Sequence, residues 1–188
     1  MRLEIRLSGA GGHGLVTASI ILAEAASVGG FNVAQTQTYG PEARGGSAFA
    51  DVVVSDSPIY YPRSMKPGLV LALTQASSDL FAPLADPEGT IVTDADEVRA
   101  RPAGRVLEVP LLRMVREEFG LETFAGIAGL GALNAIGEVA SREAFETAIK
   151  GRVPPKSAEV NVRVYRRGWE LGKGALGAPA AQVFEADL

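Results

Sequence analysis

The sequence predicts an α/β domain built on a mixed, mostly parallel sheet. Three observations carry that expectation. An alternating segment, Leu3–Ser8, runs into a glycine loop and then a long apolar helix pattern. A second strand pattern short of charge, Phe31–Thr38, follows that helix. A third run, Ser47–Ser55, ends at a turn signal rather than at another helix.

Taken in order, Leu3, Ile5 and Leu7 alternate with charged residues as a first strand does. Leu15–Val28 is apolar or small all round, which fits a buried helix, and Gly29-Gly30 stops it. Two strands joined by one helix of ~15 residues read as a βαβ unit with parallel pairing and a right-handed crossover. Ser47–Ser55, the turn Ser55-Asp56-Ser57-Pro58 and Ile59-Tyr60-Tyr61 read as an antiparallel hairpin, which makes the sheet mixed. Leu69–Leu73 suits a buried central strand. Gln75–Leu84 reads as a helix ending before Asp86-Pro87. Thr90–Thr93 and Arg105–Val109 read as short strands, with Asp94, Asp96 and Glu97 between them. Helices follow at Leu111–Phe119, at the Gly/Ala-rich Phe124–Val139, at Arg142–Lys150 behind the N-cap Ser141, and at Ser157–Gly172 beyond the break Pro154-Pro155. One domain over residues 1–174 is expected, with 175–188 a flexible or partner-bound tail.

Composition narrows the chemistry. A net charge of −4 argues against nucleic acid as a partner. The chain has no cysteine, so thiol catalysis, disulfides and thiolate-held metal or iron–sulfur clusters are outside what it does alone. Its single histidine, His13, excludes a His-rich metal site. No apolar run reaches ~18 residues and a strand pattern starts at once, so a cytoplasmic protein without a membrane segment is expected.

Gly9-x-Gly11-x-x-Gly14 lies between a strand and a helix, where loop amides and the helix dipole favour a phosphate or carboxylate. A dinucleotide site would want an acidic side chain ~20 residues on, for the ribose. No Asp or Glu lies between Glu24 and Glu42, and no Arg is there for a 2′-phosphate. The nicotinamide reading fails on that point. Packing of strand against helix without any ligand is the other use of such glycines. His13, at a helix start, reads as a neutral hydrogen-bonding group rather than a base.

A second loop, Tyr39-Gly40-Pro41-Glu42-Ala43-Arg44-Gly45-Gly46, follows the second strand and belongs at the same sheet edge. Arg44 is either a bidentate partner for a phosphate or carboxylate, or the ion-pair partner of Glu42. The two loops together, Ser8–Gly14 and Thr38–Ser47, resemble the gamma subunit of 2-oxoacid:ferredoxin (acceptor) oxidoreductases. The similarity continues through Asp51–Asp56, Pro58-Ile59, Leu69–Leu73, Gly131–Asn134 and Val153–Lys156, spanning about residues 3–173. The form Tyr-Gly-Pro-Glu-Ala-Arg-Gly-Gly is most similar to the 2-oxoglutarate branch. His13 stands where the family usually has Gln.

The resemblance implies a three-layer α/β/α module in an enzyme that oxidatively decarboxylates a 2-oxoacid, forms the coenzyme A (CoA) thioester and reduces ferredoxin. It places thiamine diphosphate, Mg and iron–sulfur clusters in alpha and beta partners, with a ferredoxin-like delta subunit a further candidate. Gly9, Gly11, Gly12, His13, Gly14, Tyr39, Gly40, Glu42, Arg44, Gly45 and Gly46 are then candidates to line an anion site for CoA, with no catalytic residue in this chain. Two other readings stay open: a purely structural assembly subunit, and a free-standing nucleotide- or flavin-binding protein.

Overall fold

The computed structural model describes residues 1–39 and 47–177. Within them lie strands β1 (Arg2–Ala10), β2 (Asn32–Tyr39), β3 (Ser47–Ser55), β4 (Leu69–Ala72), β5 (Thr90–Asp94) and β6 (Arg105–Val109). The helices are α1 (Leu15–Val28), α2 (Gln75–Phe81), α3 (Leu111–Phe119), α4 (Ala125–Gly137), α5 (Arg142–Arg152) and α6 (Pro155–Gly177). All six strands form one sheet in the order β2-β3-β1-β4-β5-β6. β3 alone runs against the others, antiparallel to both β1 and β2, while β4, β5 and β6 continue parallel from β1.

The mixed, mostly parallel sheet is therefore as expected, but two pairings are corrected. β1 and β2 run in the same direction without touching, because β3 is inserted between them. The side chains explain the placement. Ala50, Val52, Val53 and Val54 of β3 are fully buried and suit an interior position, whereas Asn-Val-Ala-Gln-Thr-Gln-Thr-Tyr of β2 suits an edge. The hairpin partner of β3 is β2, and Ile59–Tyr61 is not a strand. Both flanks of β3 are already paired, and Pro58 and Pro62 lack the amide a ladder needs.

Alternation along the strands sorts the core into two faces. Ile5, Leu7, Val52, Val54, Leu69, Leu71 and Val92 join the main core with α1, α3, α4, α5 and α6. Val70, Ile91 and Val106 form a smaller cluster with Phe81 and Ala82 of α2 and the 3₁₀ turn after it. The three layers are thus very unequal. α2 ends at Phe81 because Pro83 cannot supply an amide to the α ladder, and the turn Ala82–Leu84 takes over.

α4 is buried along almost its whole length and lies against α6 at backbone distance. A Cβ on Gly131 would sit 2.1 Å from the Tyr165 carbonyl oxygen, and one on Gly168 2.0 Å from that of Ala128. Asn134 donates to the buried Tyr165 hydroxyl at 2.9 Å, and burial pushes that phenol up to about 12. Pro155 opens α6, where its missing amide costs nothing. The helix runs past Gly172, the end its sequence suggested, and takes in the first three residues assigned to the tail. Gly172 is used for contact with Ala132 rather than as a stop, and Ala175 still packs on the core. The remainder of the tail, 178–188, lies outside the described residues.

Candidate anion site at the first helix

β1 ends at Ala10, beside the end of β2 and the start of β3: Tyr39 stands opposite Ala48, and Ser47 opposite Ala10. The two loops singled out in the sequence therefore start from one sheet edge. Gly40, Glu42, Arg44, Gly45 and Gly46 lie outside the described residues, as does the side chain of Tyr39.

The first loop is set by three contacts. The His13 amide donates to Ala10 O at 3.3 Å, the Gly126 amide donates to His13 O at 2.7 Å, and the Ala10 amide donates to His13 Nδ1 at 3.3 Å. Gly9 makes room for this, since a Cβ there would lie 2.8 Å from Nδ1. Gly14 caps α1 at φ 73°, ψ 21°, a left-handed conformation that L side chains resist, and its α-carbon faces the Thr123 carbonyl too closely for any Cβ.

A glycine at the N-cap brings no side chain to the first turn of α1, and no acidic residue is there. The first intrahelical bond is Ala18 N–H to Gly14 O, so the amides of Leu15, Val16 and Thr17 precede the ladder. They border a cavity of ≈ 250 Å³ lined by Gly11, Gly12, Gly14, Thr17 and Ala48, among others. A larger cleft of ≈ 420 Å³ shares Gly14 and Thr17 and carries an apolar wall of Leu121, Phe124 and Ile127 with Arg152 and Asn161 at its rim. Free amides at a helix N-terminus suit an anion, and the cleft beside them adds an apolar wall.

His13 is buried, and its imidazole does not line the smaller cavity. Because Nδ1 accepts, the ring is neutral with its proton on Nε2, 3.9 Å from Glu122. Burial depresses its pKa, with Glu122 opposing. The neutral state matches the sequence expectation, but desolvation is the cause. Protonation in the unfolded chain alone makes stability fall as pH drops below the ordinary value of 6.5, and leaves it intact above. His13 is the one histidine, so denaturant melts between about pH 5 and about pH 7 should show this slope in wild type and lose it in His13→Gln. An unchanged slope would assign it to carboxylates.

Sequence reading did not single out Val16, Thr17 or Ala48, which line the smaller cavity by their place beside the loop. Asp94, expected in a loop, is the buried last residue of β5. Its carboxylate accepts from Leu112 N at 2.8 Å, Asp96 N at 3.0 Å and Glu97 N at 3.1 Å, which ties α3 to the sheet edge. Among the described residues no group of three or more His, Asp or Glu could hold a metal, and no helix is long and apolar enough to cross a membrane.

Residues 4–171 match the family model described as pyruvate ferredoxin/flavodoxin oxidoreductase. The chain belongs to that family. The resemblance to its gamma subunits is borne out by relatives of similar length. The 2-oxoglutarate synthase subunit KorC of Methanocaldococcus jannaschii is 38% identical over 178 residues, covering 92% of this chain and 95% of the relative. The solved keto/oxoacid ferredoxin oxidoreductase gamma subunit of Geobacter sulfurreducens superposes with TM-score 0.84 at 36% identity, covering 93% and 98% of the two chains. The 2-oxoglutarate:ferredoxin oxidoreductase of Magnetococcus marinus, solved with 2-oxoglutarate, coenzyme A and succinyl-CoA bound, shares the fold at TM-score 0.81 and 20% identity. There the match covers 92% of this chain and 31% of the other. The family's members among these relatives are oxidoreductase subunits, so an enzymatic role in a larger assembly is the family's own.

Proposed function

We propose that this chain is the gamma subunit of a thiamine-diphosphate-dependent 2-oxoglutarate:ferredoxin oxidoreductase, and that it holds the phosphates of CoA at the N-terminus of α1. Thiamine diphosphate, Mg and the iron–sulfur clusters reside in alpha and beta partners, with a ferredoxin-like delta subunit alongside; a chain without cysteine has no thiolate for a cluster. When bound there, those groups supply the decarboxylation and electron transfer. This chain binds and orients the thiol co-substrate.

The observation that carries the reading is the uncapped first turn of α1 opening on its cavity. Three backbone amides and the positive end of a 14-residue helix meet an anion there. Arg44, one loop away in sequence from the same sheet edge, adds a guanidinium. The adjoining cleft of ≈ 420 Å³ has room and apolar wall for part of the pantetheine arm.

Co-expression with alpha and beta subunits and steady-state assay test this. Arg44→Ala should raise the KM for CoA about tenfold with kcat for the 2-oxoacid little changed, the loss of one charge-assisted bond. Normal assembly with an unchanged KM would sink the CoA reading. Loss of assembly with unaltered CoA kinetics in the surviving complex would favour a purely structural subunit.

A further inference from the structure

The two edges of the sheet are treated differently. At one edge, β6 carries Arg105 and Glu108, and its Val106 carbonyl accepts from Arg101 at 2.9 Å. α6 packs against it as well. Such charges and covers are the usual protection against a stray strand. The other edge, β2, has α1 packed against it but carries none of those charges. Its eight residues hold no charge, no proline and no glycine. Its register with β3 is continuous from Asn32–Ser55 to Tyr39–Ala48, without a bulge.

A cavity of ≈ 250 Å³ opens on the thinly covered face directly beside this edge, with Thr36, Gln37 and Thr38 of β2 in its wall. Its floor is fixed: Arg6, 7% exposed, makes a bidentate pair with Asp51 at 2.7 and 2.8 Å and lies over the adjoining rings of Phe49 and Phe81, 5.0 and 4.9 Å from their centroids. Those two charges cancel. Arg63, exposed on the rim, has no carboxylate within ion-pair distance among the described residues, so the cavity is left net positive. The same rim exposes Tyr61 and Met65, and Tyr60 next to them is 93% exposed. Tyr, Met and Arg are the types enriched where proteins meet.

We propose that β2 is a docking edge: an extended segment of a partner subunit adds to it as a seventh strand and places an acidic side chain in the cavity, against Arg63. Main-chain bonds give such an interface its strength, and the pocket for alternate side chains gives it selectivity. The proposal rests on the reading of the chain as a gamma subunit. It concerns the sheet edge and open face, not the α1 cavity.

The test uses the wild-type chain alone and co-purified with its alpha and beta subunits. Amide hydrogen exchange across Val33–Thr38 should slow at least tenfold on assembly, at alternate residues, since only every second amide of an edge strand points outward. No slowing in an intact complex overturns the proposal while leaving the gamma-subunit reading in place. Failure of the wild-type chain to co-purify removes both. Arg63→Glu, an exposed position, should weaken assembly about tenfold or more without changing the melting temperature of the free chain. Gln37→Lys combined with Thr38→Lys restores a guarded edge and should do the same. If either variant instead dissociates a dimer of the free chain in sedimentation and assembles normally, the edge serves a second copy and the proposal is wrong.

Discussion

Gly168→Ala is expected to cost about 3 kcal/mol or more, a fall in Tm on the order of 10 °C for a chain of this size. The added Cβ would stand 2.0 Å from Ala128 O, 2.7 Å from its carbonyl carbon and 2.9 Å from its α-carbon. All three atoms belong to the backbone of α4, so no side chain can swing aside, and α4 and α6 must move apart. That separation opens the core around Leu130, Leu133, Val164 and Tyr165, every one of them buried. The same helix supplies its own control. Gly174 has nothing within 4 Å of its Cβ position, so Gly174→Ala should be neutral or stabilise by up to about 1 kcal/mol through helix propensity. Of two Gly→Ala changes six residues apart, only the first is thus expected to destabilise in denaturant melts. Equal effects would contradict the α4–α6 packing.

The second large effect is on binding. Thr17 is exposed, sits in the first turn of α1 and lines both the small cavity and the larger cleft. A carboxylate at this position interacts favourably with the helix dipole, so Thr17→Glu should hold or slightly raise stability. The same carboxylate repels an anion bound at the helix N-terminus. At about 5 Å, and between protein-surface and bulk-water screening, that repulsion is about 1–3 kcal/mol, or roughly a 5- to 150-fold rise in KM for CoA. Stability and CoA affinity should therefore move independently in one variant. A stable Thr17→Glu chain that assembles and uses CoA normally would place the CoA phosphates elsewhere.

Much of the fold is written in local patterns. β6 and α3 begin and end where alternation and helical periodicity place them, and Ser141 caps α5 by accepting from Ala144 N at 3.1 Å. Strand order is a different kind of fact. Nothing within Ser47–Ser55 says that it slots between β1 and β2; only the contrast between its fully buried valines and the polar run of β2 hints at which is interior. The helix stop assigned to Gly172 failed for a related reason, because a glycine that ends a helix and one that admits another helix look alike in sequence. At the site, the glycine spacing marked the loop, and the missing acidic residue removed the nicotinamide reading. Which atoms face the cavity was not legible. The amides proposed to bind are those of Leu15, Val16 and Thr17, and the one residue with distinctive chemistry, His13, turns inward to hold the loop.

The most direct test of the α1 site compares CoA with pantetheine, which has the same thiol arm and no phosphate, as co-substrates of the assembled enzyme. The wild type should prefer CoA in kcat/KM by at least tenfold, and Thr17→Glu should lower the CoA value several-fold more than that for pantetheine. Equal losses for both thiols, or no loss for either, would contradict a phosphate site at the head of α1.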